Sequence, residues 1–103
     1  MNPHSHDMVV FATAKAAPGK EKELEAALRK VAGPTRAQPG SVAFRLYRAV
    51  HEPGTLVAVE RWASREHHER HLQGEHVRAL MAVMGDLLAE PPQIVEFEII
   101  DEA

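Results

Sequence analysis

The sequence predicts an α+β domain of the ferredoxin-like kind, β-α-β-β-α-β, with one antiparallel four-stranded sheet and the helices packed on one of its faces. Three observations carry this. Strand-like and helix-like stretches alternate in that order along 103 residues. Pro-Gly pairs at Pro18-Gly19, Pro39-Gly40 and Pro53-Gly54 punctuate them. The two middle strands are joined by a loop too short for anything but a hairpin, because parallel neighbours need a long crossover.

The elements follow in order. Met8 to Lys15 is β-branched and aromatic enough for a strand. From Lys20 to about Arg36, Leu24, Ala27, Leu28 and Val31 recur at the spacing of one buried helix face. Gly33-Pro34 is expected to break or kink this helix, since proline removes a hydrogen bond and clashes with the preceding turn. Ser41 to Val50 and Thr55 to Ala63 read as the hairpin strands, and in each Pro-Gly pair glycine is expected at the positive-φ position of a turn. Ser64 has the character of an N-cap, opening a helical region from Arg65 to about Leu88 with an interruption near Gly74. Pro91-Pro92 stops it, and Gln93 to Asp101 forms the last strand. Residues 1–7 read as a disordered leader and 8–103 as a single domain.

Composition narrows the function. Twelve Lys and Arg against fifteen Asp and Glu give a net charge of −3 with neither sign clustered, so the basic stripe of a nucleic-acid binder is missing. The absence of cysteine removes disulfides, thiolate metal sites and a cysteine nucleophile. The longest apolar run, Ala79 to Met84, is far short of the roughly twenty residues that span a membrane. A cytoplasmic protein acting on small molecules or other proteins is the expectation. The strands add a second inference. Val9 and Phe11 oppose Met8, Val10 and Ala12, and Val57 and Val59 oppose Leu56, Ala58 and Trp62. Both sheet faces are apolar while helices can cover only one, so the other face is expected to meet a second copy about a two-fold axis.

Val59-Glu60-Arg61-Trp62-Ala63-Ser64, followed by His71-Leu72-Gln73-Gly74-Glu75-His76, resembles the antibiotic biosynthesis monooxygenase (ABM) domain family, in particular its quinol-monooxygenase-like members. Ala17-Pro18-Gly19-Lys20, Gln38-Pro39-Gly40-Ser41 and Leu46-Tyr47-Arg48 support the likeness, which covers about Met8 to Asp101. The resemblance implies a dimeric α+β barrel with a pocket between sheet and helices in each subunit. It also implies an oxygenase that needs no cofactor and lets O₂ react with the anion of a phenol, quinol or polyketide-type aromatic. Other members degrade haem with an asparagine, a tryptophan and a histidine. Those positions hold Ala12, His71 and Met81 here, which argues against haem degradation.

Candidate site residues follow from chemistry and likeness together. His71 and His76 match histidines of the family's pocket segment and are candidate bases for a phenolic proton; equally, they could cap the break at Gly74 or pair across the dimer. Tyr47 and Arg45 project from one face of their strand and could orient a substrate oxygen, or Arg45 could pair with Glu60 across the hairpin. Trp62 is either a stacking wall for an aromatic ring or a core anchor. Met81 and Met84 suit a plastic substrate pocket as well as a core, and Ala12 joins them as a substrate-contacting position. His67, His68 and His71 have spacings that could share a metal, but His-His-Glu-Arg-His is not the zincin motif, and a solvated helix face is the simpler account. No metal or other cofactor is expected, and no nucleic-acid or membrane partner. Two other readings stay open: an isomerase of a small oxygenated metabolite, which would need pocket arginines, and a non-catalytic module that binds a hydrophobic ligand.

Overall fold

The computed structural model describes residues 6–102. Its elements are β1 (Met8–Lys15), α1 (Glu21–Arg36), β2 (Ser41–Arg48), β3 (Thr55–Trp62), α2 (Arg65–Leu72), α3 (Glu75–Leu87) and β4 (Gln93–Glu98). The four strands form one antiparallel sheet in the order β2-β3-β1-β4, the ferredoxin-like α+β arrangement expected. Residues 1–5 of the expected leader lie outside the described residues. Asp7, at its end, accepts a hydrogen bond of 2.7 Å from Arg61 Nε.

Period-two patterning decides which side of each strand is buried. Leu56, Ala58, Glu60 and Trp62 of β3 all point toward the helices and are buried. Met8, Val10 and Ala14 of β1 and Phe44 of β2 share that side. Leu24 and Leu28 of α1 and Met84 and Leu87 of α3 pack on Ala14 and Leu56. Val31 and Ala32 pack on Phe44 and Ala58. Met8, Val10 and Trp62 form a third cluster at the other end of the sheet. None of the described helices is long and apolar enough to cross a membrane.

Three local expectations change. The first helix runs through Pro34 to Arg36 without a break at Gly33-Pro34. Proline crowds the Cβ of the residue before it, and Gly33 has none, so the last turn continues and buries Thr35. Gly19 and Gly40 adopt the positive φ expected of them, at 83° and 80°, but Gly54 does not; the hairpin turn closes instead through Thr55 N–H donating to Glu52 O at 2.8 Å. The hairpin strands and β4 each end short of their expected last residues.

The interruption near Gly74 is present. α2 is capped by Ser64, whose Oγ accepts from His67 N–H at 3.2 Å, and it ends at Leu72. Gly74 then serves as the N-cap of α3. The break brings the histidines of α2 and α3 together at one end of the sheet.

Candidate active site

The site begins with a carboxylate on the wrong kind of strand face. Glu60 has the same parity as Leu56, Ala58 and Trp62, so the pleat turns it into the core, where it is only 4% exposed. The Trp62 indole Nε1–H donates to Glu60 Oε1 at 2.9 Å. Burial pushes the Glu60 carboxyl up to about 7, against the pull of that hydrogen bond.

His71, near the end of α2, faces Glu60 with Nε2 3.7 Å from Oε1. Its other nitrogen, Nδ1, lies 2.7 Å from Gln38 Oε1. An amide oxygen only accepts, so the ring proton sits on Nδ1 and Nε2 presents its lone pair toward Glu60. Burial, reinforced by His68 and His76, lowers His71 to about 4. The two groups therefore both favour their neutral forms, as a dry site demands, and a neutral carboxyl beside an unprotonated imidazole is the resting state at mildly acidic pH.

Aromatic rings build the wall around this pair. Trp62 lies against His71 with ring centroids 4.7 Å apart, and His68 completes a triangle with them, 5.9 Å from His71 and 6.1 Å from Trp62. His76 is 5.8 Å from His71 and shares a 3.2 Å hydrogen bond between its Nε2 and Thr35 Oγ1.

Glu60, His68 and His71 form one polar end of a cavity of about 70 Å³ between the sheet and the helices. Ala12, Ala14, Val31, Phe44, Ala58 and Met84 are among its otherwise apolar walls, and Leu72, Met81 and Ile94, all part-exposed, form its lip. Among the described residues no arginine or lysine lines it. Known ligand pockets run to about 300–1,000 Å³, so the cavity is smaller than these with its lip in this position. Met81 is the flexible member of that lip.

Of the sequence-derived candidates, the structure brings His71, Ala12, Met81 and Met84 to this cavity. His76 stands behind His71, on Thr35, and does not line the cavity. Trp62 is fully buried and touches the site from the core side, its indole N–H on the Glu60 carboxylate rather than on a backbone carbonyl. Tyr47 and Arg45 are exposed on the opposite face of the sheet, away from the cavity. The expected Arg45–Glu60 pair does not form, because Phe44 is the register partner of Glu60 and Arg45 is paired with Val59. Alternation therefore puts Arg45 and Glu60 on opposite faces. The metal spacing does not produce a site either: His67 Nδ1 is 2.7 Å from Ser64 Oγ, His68 faces Glu96 and His71 faces Gln38. Among the described residues no three His, Asp or Glu side chains are placed to hold one metal ion. Glu60, Gln38 and His68 were not singled out from sequence for this site. An acidic residue inside an apolar strand parity was the available signal for Glu60; nothing local marks Gln38, which reaches His71 from the loop after α1.

Residues 7–83 match the family described as Antibiotic biosynthesis monooxygenase. The structure superposes on that of Rv0793 from Mycobacterium tuberculosis with a TM-score of 0.89 and 31% identity, covering 94% of this chain and 98% of that one. Putative monooxygenase YcnE of Bacillus subtilis is 26% identical over 92 residues, spanning 89% of this chain and 97% of its own. The protein sll1783 of Synechocystis is 27% identical over 94 residues, 91% of this chain, and the match spans only 64% of that longer relative. Family and relatives support a monooxygenase-like function. The chain belongs to the antibiotic biosynthesis monooxygenase family.

Proposed function

We propose that the cavity binds a small, flat, uncharged phenolic, quinol or polyketide-type aromatic and that Glu60, held by Trp62 and faced by His71, removes its proton so that the anion reacts with O₂ without a cofactor. The observation that carries this is the buried Glu60 carboxyl at the polar end of an apolar cavity, pushed up to about 7. A base is most effective when its pKa lies near working pH. This moves the base from His71, which is lowered to about 4 and too weak for a phenol, to Glu60. His71 positions the substrate oxygen and accepts a hydrogen bond at Nε2.

The step balances for a ring CH₂ flanked by aromatic carbons. Glu60 takes one proton, the carbanion adds O₂ to give a peroxide, and the returned proton completes a hydroperoxide. Loss of water then leaves a carbonyl, with one oxygen atom in the product and one in water. Apolar walls keep bulk water from quenching the anion. The lack of an arginine or lysine in the lining disfavours the isomerase reading, which needs a cation for an anionic substrate. The functional unit is a homodimer, closed over the uncovered sheet face.

Oxygen uptake with a panel of quinols and anthrones tests this. Glu60→Gln should lower the rate by roughly 10²–10⁴, the usual worth of a positioned base. Tight binding of a panel compound without oxygen uptake would replace the oxygenase by the binding-module reading, and full activity in Glu60→Gln would remove Glu60 from the chemistry.

A further inference from the structure

Along α1, Glu25, Arg29, Ala32 and Arg36 recur at the three- and four-residue steps of one helix face. Arg48 of β2 has the parity of Phe44 and Leu46, which turn toward the helices. Folding therefore sets three arginines around a cleft between α1 and the edge strand β2. The cleft measures about 370 Å³, within the range of ligand pockets, and Leu28, Ala32 and Leu46 give it an apolar wall. Among the described residues, Leu28 is the one that it shares with the Glu60 cavity.

Glu25 is the one carboxylate among the described lining residues. Its Oε2 accepts from Arg29 Nε at 3.1 Å and its Oε1 from Arg48 Nη2. Arg48, and then Arg29, hold the Glu25 carboxyl below its usual value. Two guanidiniums thus already converge on one carboxylate group. Arg36 directs Nε and Nη2 to the Phe44 carbonyl at 3.1 and 2.9 Å and makes no ion pair among the described residues. Its Nη1 donors remain. Three guanidinium charges against one carboxylate leave an excess of two positive charges beside an apolar wall.

The geometry points to a second binding site, for a small organic carboxylate whose charged end meets Arg29, Arg36 and Arg48 while its apolar body lies on Leu28, Ala32 and Leu46. A carboxylate accepts two parallel hydrogen bonds from the fork of an arginine. The apolar wall favours an organic acid over an inorganic anion, which would leave that wall in water. Glu25 occupies part of the same donor set and competes with the ligand. The cleft is lined by neither Glu60 nor His71, so the site stands or falls independently of the oxygenase reading.

Titration of the full-length protein with benzoate at neutral pH and constant ionic strength tests this, followed by NMR of the arginine Nε–H and α1 amide resonances. The shifts should saturate, and Arg48→Gln and Arg36→Gln should each weaken binding at least about tenfold. Arg48 is half exposed on an edge strand, so its replacement leaves the core alone. Glu25→Gln should tighten binding, the opposite of what a disturbed fold would give. Arg65→Gln removes the same charge beside Glu96, on the other edge strand, and should leave the affinity as it is. Benzamide, the uncharged counterpart, should not bind, and inorganic phosphate should bind more weakly than benzoate. Shifts that do not saturate, equal binding of benzamide or phosphate, or an affinity indifferent to both Arg48→Gln and Glu25→Gln overturn the inference.

Discussion

Trp62 donates its indole N–H to Glu60 Oε1 at 2.9 Å from two residues further along the same strand, and its ring lies 4.7 Å from that of His71. One side chain therefore holds both members of the proposed acid–base pair. Trp62→Phe keeps an aromatic ring and deletes the donor. The carboxyl then loses the one interaction that opposes burial, so its pKa should rise further above about 7. The lost hydrogen bond and the smaller ring should together cost about 1–3 kcal/mol. Carboxyl ¹³C NMR and urea unfolding measure the two effects in one variant.

The pH dependence of stability separates two states of the pair. Glu60 is raised from 4.5 to about 7, so between those values the folded chain holds a proton the unfolded chain has lost. Its contribution is full below pH 4.5 and disappears as pH rises through 7. His71 is lowered from 6.5 to about 4, so between those values the unfolded chain takes a proton the folded chain refuses. Its contribution is full above pH 6.5 and disappears as pH falls through 4. The slopes oppose each other from about pH 4.5 to 6.5, and the parent protein should be nearly flat there in urea titrations. Glu60→Gln should expose a stability that rises with pH across this window, and His71→Gln one that falls. An ion pair of Glu60 and His71 would instead make the parent most stable in that window.

Much of this was legible in sequence for a physical reason: strand and helix periodicities are local, and the Pro-Gly pairs marked the boundaries. Val57 and Val59 against Leu56 and Ala58 gave the two sheet faces of β3 correctly. The same rule places the Glu60 carboxylate in the core, on the face shared by Phe44 and not by Arg45. Registers and reach across the fold are less accessible. Gln38 meets His71 from 33 residues away, and His68 meets Glu96 across the sheet edge. No periodicity encodes either contact. The run through Pro34 depended on the glycine before it, a pairwise effect that a rule about proline alone misses.

Gly40 controls the seating of α2. At φ 80° it occupies the left-handed region, and a Cβ there would lie 2.2 Å from His67 Cγ and 2.6 Å from His67 Cβ. The clash is with the root of the side chain, so a rotamer change cannot relieve it. His67 also belongs to the Ser64 cap that starts the helix carrying His68 and His71. Gly40→Ala should therefore cost about 2–4 kcal/mol, combining backbone strain with overpacking. Its displacement of α2 should shift the His71 ring resonances, whereas Gly85→Ala, where a Cβ meets nothing within 4 Å, should leave them in place.

The proposed dimer makes the strongest demand on the sheet. Phe11 and Phe97 meet edge to face at 5.0 Å on the side away from the helices, and both are more than 40% exposed. Val95, 46% exposed, lies beside them, opposite Phe11 in register. A paired, apolar, solvent-facing cluster of this kind loses free energy in water and gains it when a second sheet covers it. Phe97→Asp places a charge at its centre without touching the buried core, since β4 is exposed throughout. Light scattering should give twice 11.4 kDa for the parent protein and the monomer mass for Phe97→Asp, with an unchanged far-ultraviolet circular dichroism spectrum. A parent protein that stays monomeric at micromolar concentration would remove the dimer, while the cavity, which is lined within one chain, would stand.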